Sequence, residues 1–496
     1  MQKHVLSKST FIRGLKCSKS LYLNKHRKDL KDELSDMQKA IFNQGDMVGE
    51  LAQQLFPNGV DCTTKTFYNF EEALKKTQLC IQEGKKIIYE AAFQFNGVLA
   101  VLDILVKDQD GWKAYEVKSS TSVSTTHIND AAIQAYVIEN SGIKLEDIFI
   151  VHINNKYVKD GEIEINKLFS INSVKDKISN SPLNIKQEIE KQKLILKQKN
   201  IPEKAIGAHC KSPYNCDFIG NCWENIPLYS VFDISNLSQE KKFNLQSKGI
   251  LKIENIPDDY PLSKNQKIQV SCEKEDERLI DKEKLSSFIS DLQYPLYYLD
   301  FETFSSAVPI FNYSKPYEHM VFQFSLHIQK EKNGKTEHFE HLAIADGTDP
   351  RINFINALIK FCTGKGNVIV YNKGFESSKI EQLAIAFPKH KKELQQIISR
   401  IRDLMIPFQK KWYYDKKMKG SYSIKNVLPA MINDLSYENL SIKDGGMASH
   451  TFSQMMSGTF KGDNETTRKY LLEYCKLDTL AMVEIVNKLN QIVNSI

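Results

Sequence analysis

The stretch YYLDFETF, residues 297–304, constrains this chain more than any other. Tyr297, Tyr298, Leu299 and Phe301 suit the interior of a β-strand, yet Asp300 and Glu302 stand among them. Side chains alternate faces along a strand, so these carboxylates point the same way, about 7 Å apart along the backbone. Like charges on one face of an apolar strand repel each other and resist losing water. A divalent cation turns that repulsion into coordination, and further acids should then follow where they can converge.

Two such segments follow. VIVYNKGFESSKIEQL (368–383) reads as a short β-branched strand running into a helix, with Asn372 and Glu376 near the junction. YCKLD (474–478) lies in an amphipathic helix, where Tyr474 and Asp478 are four residues apart and share a face. Between them, FQKKWYYDKKMKGSYSIKN (408–426) interleaves Lys410, Lys411, Lys416 and Lys417 with Trp412 and Tyr413. Cations meet phosphates while rings stack on bases, a combination that suits single strands. A solvated helix with a packed aromatic face is the plainer reading.

The N-terminal half carries a second constellation. NGVLAVLDILVKDQDGWKAYEVKSST (96–121) reads as two strands joined by a turn at Asp108–Gly111. Asp103 lies in the first strand; Glu116 and Lys118 lie two apart in the second and face one way. Asp103 and Glu116 are candidates to hold a cation, and Lys118 to polarise water or counter developing charge. The helix GDMVGELAQQLFP (45–57) carries Glu50, and the helix DAAIQAYVI (130–138) carries Gln134.

The nine cysteines are an odd number, and no secretory or membrane segment is expected, so a disulfide framework is not. HCKSPYNCDFIGNCW (209–223) spaces Cys210, Cys216 and Cys222 with five residues between neighbours, and Cys17 sits far upstream in GLKCSKSLYL. Cys62, Cys80, Cys272, Cys362 and Cys475 read as ordinary buried or surface thiols.

With 496 residues the chain exceeds one usual hydrophobic core, so two or three domains are expected. Strands precede or alternate with helices from 294 onward, which argues for α/β architecture. The net charge of +6 permits nucleic acid as a partner without requiring it. No apolar run approaches the ~18 residues of a membrane span. The N-terminal MQKHVLSKSTFIRGLKC has no continuous apolar core of the signal-peptide kind, so a cytoplasmic location is expected. There is no P-loop of the form G-x-x-x-x-G-K-[ST], so unwinding would need a separate helicase or ATPase.

Asp300-Phe-Glu302, Asn372-Lys-Gly-Phe-Glu376 and Tyr474-Cys-Lys-Leu-Asp478 together resemble the three motifs of DnaQ-like, DEDD-type 3′–5′ exonucleases on the ribonuclease H-like fold. The second motif has glutamate where that family usually has aspartate. The resemblance implies that Asp300, Glu302, Glu376 and Asp478 hold two Mg²⁺ or Mn²⁺ ions while Tyr474 orients the attacking water. Asn372 and the 408–426 lysines and aromatics would face nucleic acid. Asp103 followed by Glu116-Val-Lys118 resembles the core of PD-(D/E)xK nucleases. Glu50 falls where RecB-like members supply another ligand, and Gln134 resembles their glutamine motif, at the nucleic acid. One cysteine before this core and three after it resemble the [4Fe–4S] staple of RecB-like nucleases. Zinc on the same cysteines, with His209 substituting, is the alternative.

The whole chain thus resembles a bacterial family known mainly as a domain of unknown function. The implied organisation is a RecB-like nuclease with an iron–sulphur staple at 1–225, a connector at 226–293 and a DnaQ-like domain at 294–496. Within the connector, FNLQSKGILKIENIP (243–257) reads either as a helix-hairpin element or as a structural link. The expected activity is metal-dependent hydrolysis of DNA, at ends or in single strands, in repair or defence against foreign DNA. The alternatives are a ribonuclease, or a catalytically weakened binding module that positions a partner enzyme.

Overall fold

A computed structural model describes residues 4–64 and 69–495. The chain divides into two units, residues 1–225 with 306–318, and residues 226–305 with 319–496. Both are α/β units with mixed sheets. Among the described residues no helix is long and apolar enough to cross a membrane.

In the first unit a seven-stranded sheet is built from β1 (Leu6–Ser7), β2 (Val60–Asp61), β3 (Ile87–Phe95), β4 (Val98–Lys107), β5 (Trp112–Lys118), β6 (Leu145–Ile153) and β7 (Phe169–Ser173). The order is β2-β3-β4-β5-β6-β7, with β1 pairing parallel to β4. β3, β4 and β5 form an antiparallel meander, and β6 then pairs parallel to β5. That parallel step needs a crossover, and the helix Thr125–Asn140 provides it. The two expected strands around Asp103 and Glu116 are β4 and β5.

Helices α1 (Lys8–Lys16), α2 (Ser18–His26), α3 (Asp36–Ala52), α4 (Phe70–Gln82) and α5 (Thr125–Asn140) belong to this unit. Ser7 caps α1: its hydroxyl accepts from Thr10 N at 3.3 Å, and Thr10 Oγ1 accepts from Ser7 N at 2.7 Å. Residues 306–318 return to this unit rather than to the strands on either side of them in sequence. Ala307 is buried with Tyr115, Val117 and Tyr157, and Asn312 Oδ1 accepts from Gly161 N at 3.0 Å.

The second unit holds a five-stranded sheet. Its order is β11-β10-β9-β12-β13, from β9 (Leu296–Phe304), β10 (Met320–Gln329), β11 (Thr336–Leu342), β12 (Val368–Val370) and β13 (Ile401–Asp403). β9, β10 and β11 are antiparallel neighbours, while β12 runs parallel to both β9 and β13. A separate ribbon pairs β8 (Leu279–Ile280) with β14 (Tyr413–Tyr414). The C-terminal helix Asn464–Asn494 lies over β9 and β10, and its buried face includes Leu471, Tyr474, Cys475 and Asp478.

Residues 226–293 fall within the second unit and bring their own small core of Val231, Leu245, Ile253, Ile256 and Val270. The helix Gln239–Ser247 ends at Gly249, with φ +76°; a 3₁₀ turn at Ile253–Asn255 follows, and the next helix is Lys264–Glu275. The apolar residues of FNLQSKGILKIENIP are therefore spent on packing, and its glycine closes a helix C-terminus.

Entry into β12 depends on Gly366. Its φ is +96°, and a Cβ there would lie 2.1 Å from the Pro295 carbonyl oxygen. Neither the dihedral nor the space admits another side chain. Gly366→Ala should destabilise the second unit by about 2–4 kcal/mol in denaturant unfolding. Gly458→Ala is the control: its φ is also positive, at +70°, but nothing lies within 4 Å of its Cβ position, so its loss should be smaller.

Candidate active sites

In the second unit the strand, the C-terminal helix and the first turn of the helix Lys373–Ala386 bring four acids into one region. Carboxylate oxygens of Asp300, Glu302 and Asp478 all lie within 4.8 Å of one another. Oxygens bound to one hard cation at about 2.0–2.6 Å stand within about 5 Å of each other, so the triad has the spacing of a ligand set. Glu376 stands outside this tight triad but is 2% exposed, and the charge of Asp300 acts on it. Its Oε2 has no hydrogen-bond partner. A buried carboxylate oxygen without a partner is costly, and a cation would satisfy it. Mg²⁺ or Mn²⁺ therefore fits these donors.

Burial and then the neighbouring acids raise the Asp300 and Glu302 carboxyls well above their usual range. Asp478 is pushed up to about 6 by burial, against the opposing Tyr437 hydrogen bond and Lys425 charge. The Tyr437 hydroxyl donates to Asp478 Oδ1 at 2.7 Å. Lys425 Nζ sits 5.5 Å from the Tyr437 ring centre and 5.1 Å from that of Tyr474, and donates to Lys443 O at 2.8 Å. Gly445, which opens a helix, lies so near Glu302 that a Cβ would be 3.3 Å from Oε2.

Tyr437, Lys425 and Gly445 were not singled out from the sequence; Lys425 lies near the end of the 408–426 stretch, and the DGG triplet at 444–446 is the other hint. Cys475 is no ordinary thiol: it is fully buried, with Sγ 3.8 Å from Asp300 Oδ2.

The 408–426 stretch differs from the stacking surface expected of it. Tyr413 and Tyr414 are buried in the pairing of β14 with β8. Lys411 is also buried, 3.7 Å from the centre of the Tyr414 ring, and burial lowers its ammonium to about 8. Lys416 pairs with Asp276 at 2.5 Å, Trp412 is half-buried, and Lys410 and Lys417 are exposed. The two tyrosine rings are thus core, since short apolar strands bury their aromatics when a partner strand is available. Asn372 is exposed at the N-cap with φ +94°; its N–H and that of Lys373 each donate to Asp403 at 3.1 Å.

In the first unit β4 and β5 bring Asp103, Glu116 and Lys118 together. Glu116 is 1% exposed, and its Oε1 lies 2.7 Å from Lys118 Nζ and 2.5 Å from Lys8 Nζ. Lys118 also pairs with Asp130 at 2.7 Å. Gln134, expected at the nucleic acid, is instead wholly buried and donates to Glu116 Oε2 at 2.6 Å and to Val101 O at 3.1 Å. It positions the carboxylate, because α5 packs directly over the strands. Burial opposes ionisation of Glu116, yet Lys118 and Lys8 hold its carboxyl down at about 2.

Asp103 accepts from Val117 N at 2.5 Å and is raised to about 7 by burial and the Glu116 charge. Glu50 is exposed on α3, whose buried face is Val48 and Ala52. Nearer to this pair is Glu90 of β3, whose carboxyl is pushed up to about 8 by burial and then by the charges of Asp103 and Glu116. The β3–β4 register sets it opposite Asp103, with a left-handed φ of +52° that a non-glycine residue adopts at a cost. Its signal in the sequence is the one acid in the apolar run IIYEAAF.

Cys17, Cys210, Cys216 and Cys222 line one small cavity together with Ser20 and His209. Cys17 sits at the junction of α1 and α2, and His209 Nε2 lies 3.7 Å from Cys210 Sγ. Burial raises the Cys222 thiol against the charge of Lys19, and Cys216, Cys210 and Cys17 act on it in turn. No three of these sulphurs and ring nitrogens lie mutually within 4.8 Å.

The buried acids give a pH dependence with a definite sign. Asp478, Asp103 and Glu90 hold protons in the native state that the unfolded chain releases above about pH 4. Stability of the metal-free protein therefore falls as pH rises through about 4 to 8. A two-unit shift is worth roughly 3 kcal/mol, or about 5–10 °C in melting temperature for a unit of this size. In EDTA the chain should melt higher at pH 5 than at pH 8. Asp478→Asn should shrink the difference, and Mg²⁺ at pH 8 should restore the melting temperature. A melting temperature that rises with pH would contradict this set of buried acids.

Residues 297–423 match a domain of unknown function (DUF2779), a range that contains Asp300, Glu302 and Glu376. The uncharacterized protein MG366 of Mycoplasma genitalium is 26% identical over 208 residues, 38% of this chain and 31% of that protein. Its homolog in Mycoplasma pneumoniae is 28% identical over 222 residues, 41% and 33% of the two chains. The uncharacterized protein UU173 of Ureaplasma parvum is 28% identical over 254 residues, 45% and 35%. The matches thus cover about a third of the length of each of these relatives. Together they fit the expected family of unknown function.

Proposed function

We propose that the chain is a divalent-metal-dependent nuclease that hydrolyses phosphodiester bonds of DNA, at ends or in single strands. The second unit takes the part of a DEDD-type 3′–5′ exonuclease site, and the first that of a RecB-like PD-(D/E)xK site. The observation that carries the reading is the buried acid set, three oxygens within 4.8 Å and the unpartnered Glu376 oxygen nearby. The order β11-β10-β9-β12-β13, antiparallel then parallel, supports a ribonuclease H-like reading of that unit. The meander β3-β4-β5 followed by α5 and the parallel β6 supports the PD-(D/E)xK reading of the other.

Asp300, Glu302, Glu376 and Asp478 would hold the cations, which supply Lewis acidity toward the phosphate and its attacking water. Around them the chain's own groups fix the ligands. The Tyr437 hydroxyl holds one oxygen of Asp478, so the other is left to turn inward. Tyr474, one helical turn before Asp478, is buried against the acids and is placed to orient water. In the first unit, Gln134 holds Glu116 by its second oxygen.

A specific observation favours binding over cleavage in the first unit. Lys8 and Lys118 both occupy Glu116 Oε1, and two ammonium groups on one carboxylate oxygen compete with a cation there. RNA as substrate is separated from DNA by the same experiment that separates the sites.

For the cysteines we propose a [4Fe–4S] cluster. Thiolates on one zinc ion at about 2.3 Å in a tetrahedron stand about 3.8 Å apart, whereas no three ligand atoms of this set lie mutually within 4.8 Å, and a cluster spans more space. Anaerobically purified protein should contain iron and acid-labile sulphide, and Cys216→Ser should lose both; zinc without sulphide would reverse the assignment.

The activity test uses full-length protein with Mg²⁺ or Mn²⁺ on end-labelled single- and double-stranded DNA and matched RNA. Asp300→Asn should lower the rate by at least about 100-fold, and Lys118→Ala should leave the larger part of it. If Lys118→Ala abolishes degradation while Asp300→Asn does not, the first unit is the working site. If wild type degrades no substrate under any of these conditions, the chain is a nucleic-acid-binding module and the hydrolytic reading falls.

A further inference from the structure

Beside the Glu116 site the first unit has a cleft of about 410 Å³, within the range of about 300–1,000 Å³ that small-molecule sites occupy. Lys8, Arg13, Lys16 and Lys118 line it. Lys8 and Lys118 are engaged with Glu116 and Asp130. Arg13 grips Asp217 with two hydrogen bonds, of 3.1 and 2.9 Å, and Lys31 meets the same carboxylate at 2.9 Å. Among the described residues Lys16 has no carboxylate within ion-pairing distance; its ammonium donates to the backbone carbonyl of Tyr214. Among the residues that line the cleft, four cations thus stand against two carboxylates, Asp130 and Asp217, an excess of two positive charges.

The rest of the wall agrees with the charge. The first turns of α1 and α5 both open on the cleft, through Lys8 and Ser9 and through Thr126 and His127, and helix starts favour negative charge. Tyr214 stands at the edge, 52% exposed, with Lys16 Nζ 4.1 Å from its ring centre. An exposed ring beside a cation offers a stacking face for a base.

We propose that this cleft binds a terminal phosphomonoester of a nucleotide, with Lys16 as its principal contact and Tyr214 stacking on the adjoining base. The excess of two charges matches a phosphomonoester, which carries close to two negative charges at neutral pH, better than a backbone diester, which carries one. The inference rests on the chain acting on nucleic acid and adds that it recognises phosphorylated ends. The same chemistry is offered by a free nucleoside monophosphate, and the test separates the two sources.

Fluorescence anisotropy in EDTA, which prevents metal-dependent cleavage, would compare internally labelled single strands bearing a 5′-phosphate, a 3′-phosphate or hydroxyls at both ends. The full-length protein, Lys16→Ala and Lys16→Arg would each be measured, with a nucleoside monophosphate and inorganic phosphate as competitors. One of the phosphorylated strands should bind about tenfold tighter than the hydroxyl-ended strand. Lys16→Ala should erase that preference and Lys16→Arg should keep most of it. If strands bind alike whatever their ends, the cleft proposal is overturned while the nuclease reading stands. If no strand binds but the monophosphate does, and Lys16→Ala weakens it, the phosphomonoester site stands and the nuclease reading falls. If neither binds, both fall.

Discussion

The second unit is organised around the problem of burying carboxylates in an apolar strand. Asp300 and Glu302 stand in a strand whose other residues are all buried, and Asp478 and Glu376 are brought in from two helices to the same face. Asp478 raises the cost of ionising Asp300, both raise that of Glu302, and among the described residues none of the three has a salt bridge. The neighbours that pack there are chosen for closeness and for hydrogen bonding rather than for charge balance: Tyr437 on Asp478, Gly445 against Glu302, Cys475 against Asp300. In such a core the charge of Lys425 offsets burial only in part, and the Asp300 and Glu302 carboxyls stay well above their usual range.

The first unit meets a similar concentration of acids by a different route. Glu116 is held ionised by Lys8 and Lys118, while at Asp103 and Glu90 burial and the neighbouring acids outweigh the lysine charges and raise the carboxyls. Breaking a buried ion pair by removing one partner costs far more than the pair contributes, so these lysines are structural commitments as well as chemical ones. The difference between the units is therefore electrostatic. One leaves its carboxylates without an ion pair among the described residues, and the other supplies Lys118 from the same strand and Lys8 from an N-terminal helix more than a hundred residues away in sequence.

Much of the chemistry was legible from local pattern. Strand alternation predicted that Asp300 and Glu302 share a face, and helical spacing did the same for Tyr474 and Asp478. The strands around Asp103 and Glu116 lie where the apolar runs placed them, and the four singled-out cysteines share a cavity. The misreadings have a common cause. FQKKWYYDKKMKG looked like a surface because half of it is charged, yet the β8–β14 pairing buries its tyrosines and Lys411. Gln134 and Glu50 were assigned by position along the chain, whereas burial and helix face decide that one holds Glu116 and the other looks outward.

The sequence by itself determined which residues could carry chemistry and which of them face together within one strand or one helix turn. That follows from periods of 2 and 3.6 residues, which are local properties of the backbone. The tertiary structure alone decided which of those faces meet. Glu90 is opposite Asp103 because of the β3–β4 register, Lys8 reaches Glu116 because α1 packs against β4 and α5, and Tyr437 reaches Asp478 across a gap of 41 residues. Long-range register and packing are set by the burial of the whole apolar surface, and no short window of sequence contains that information.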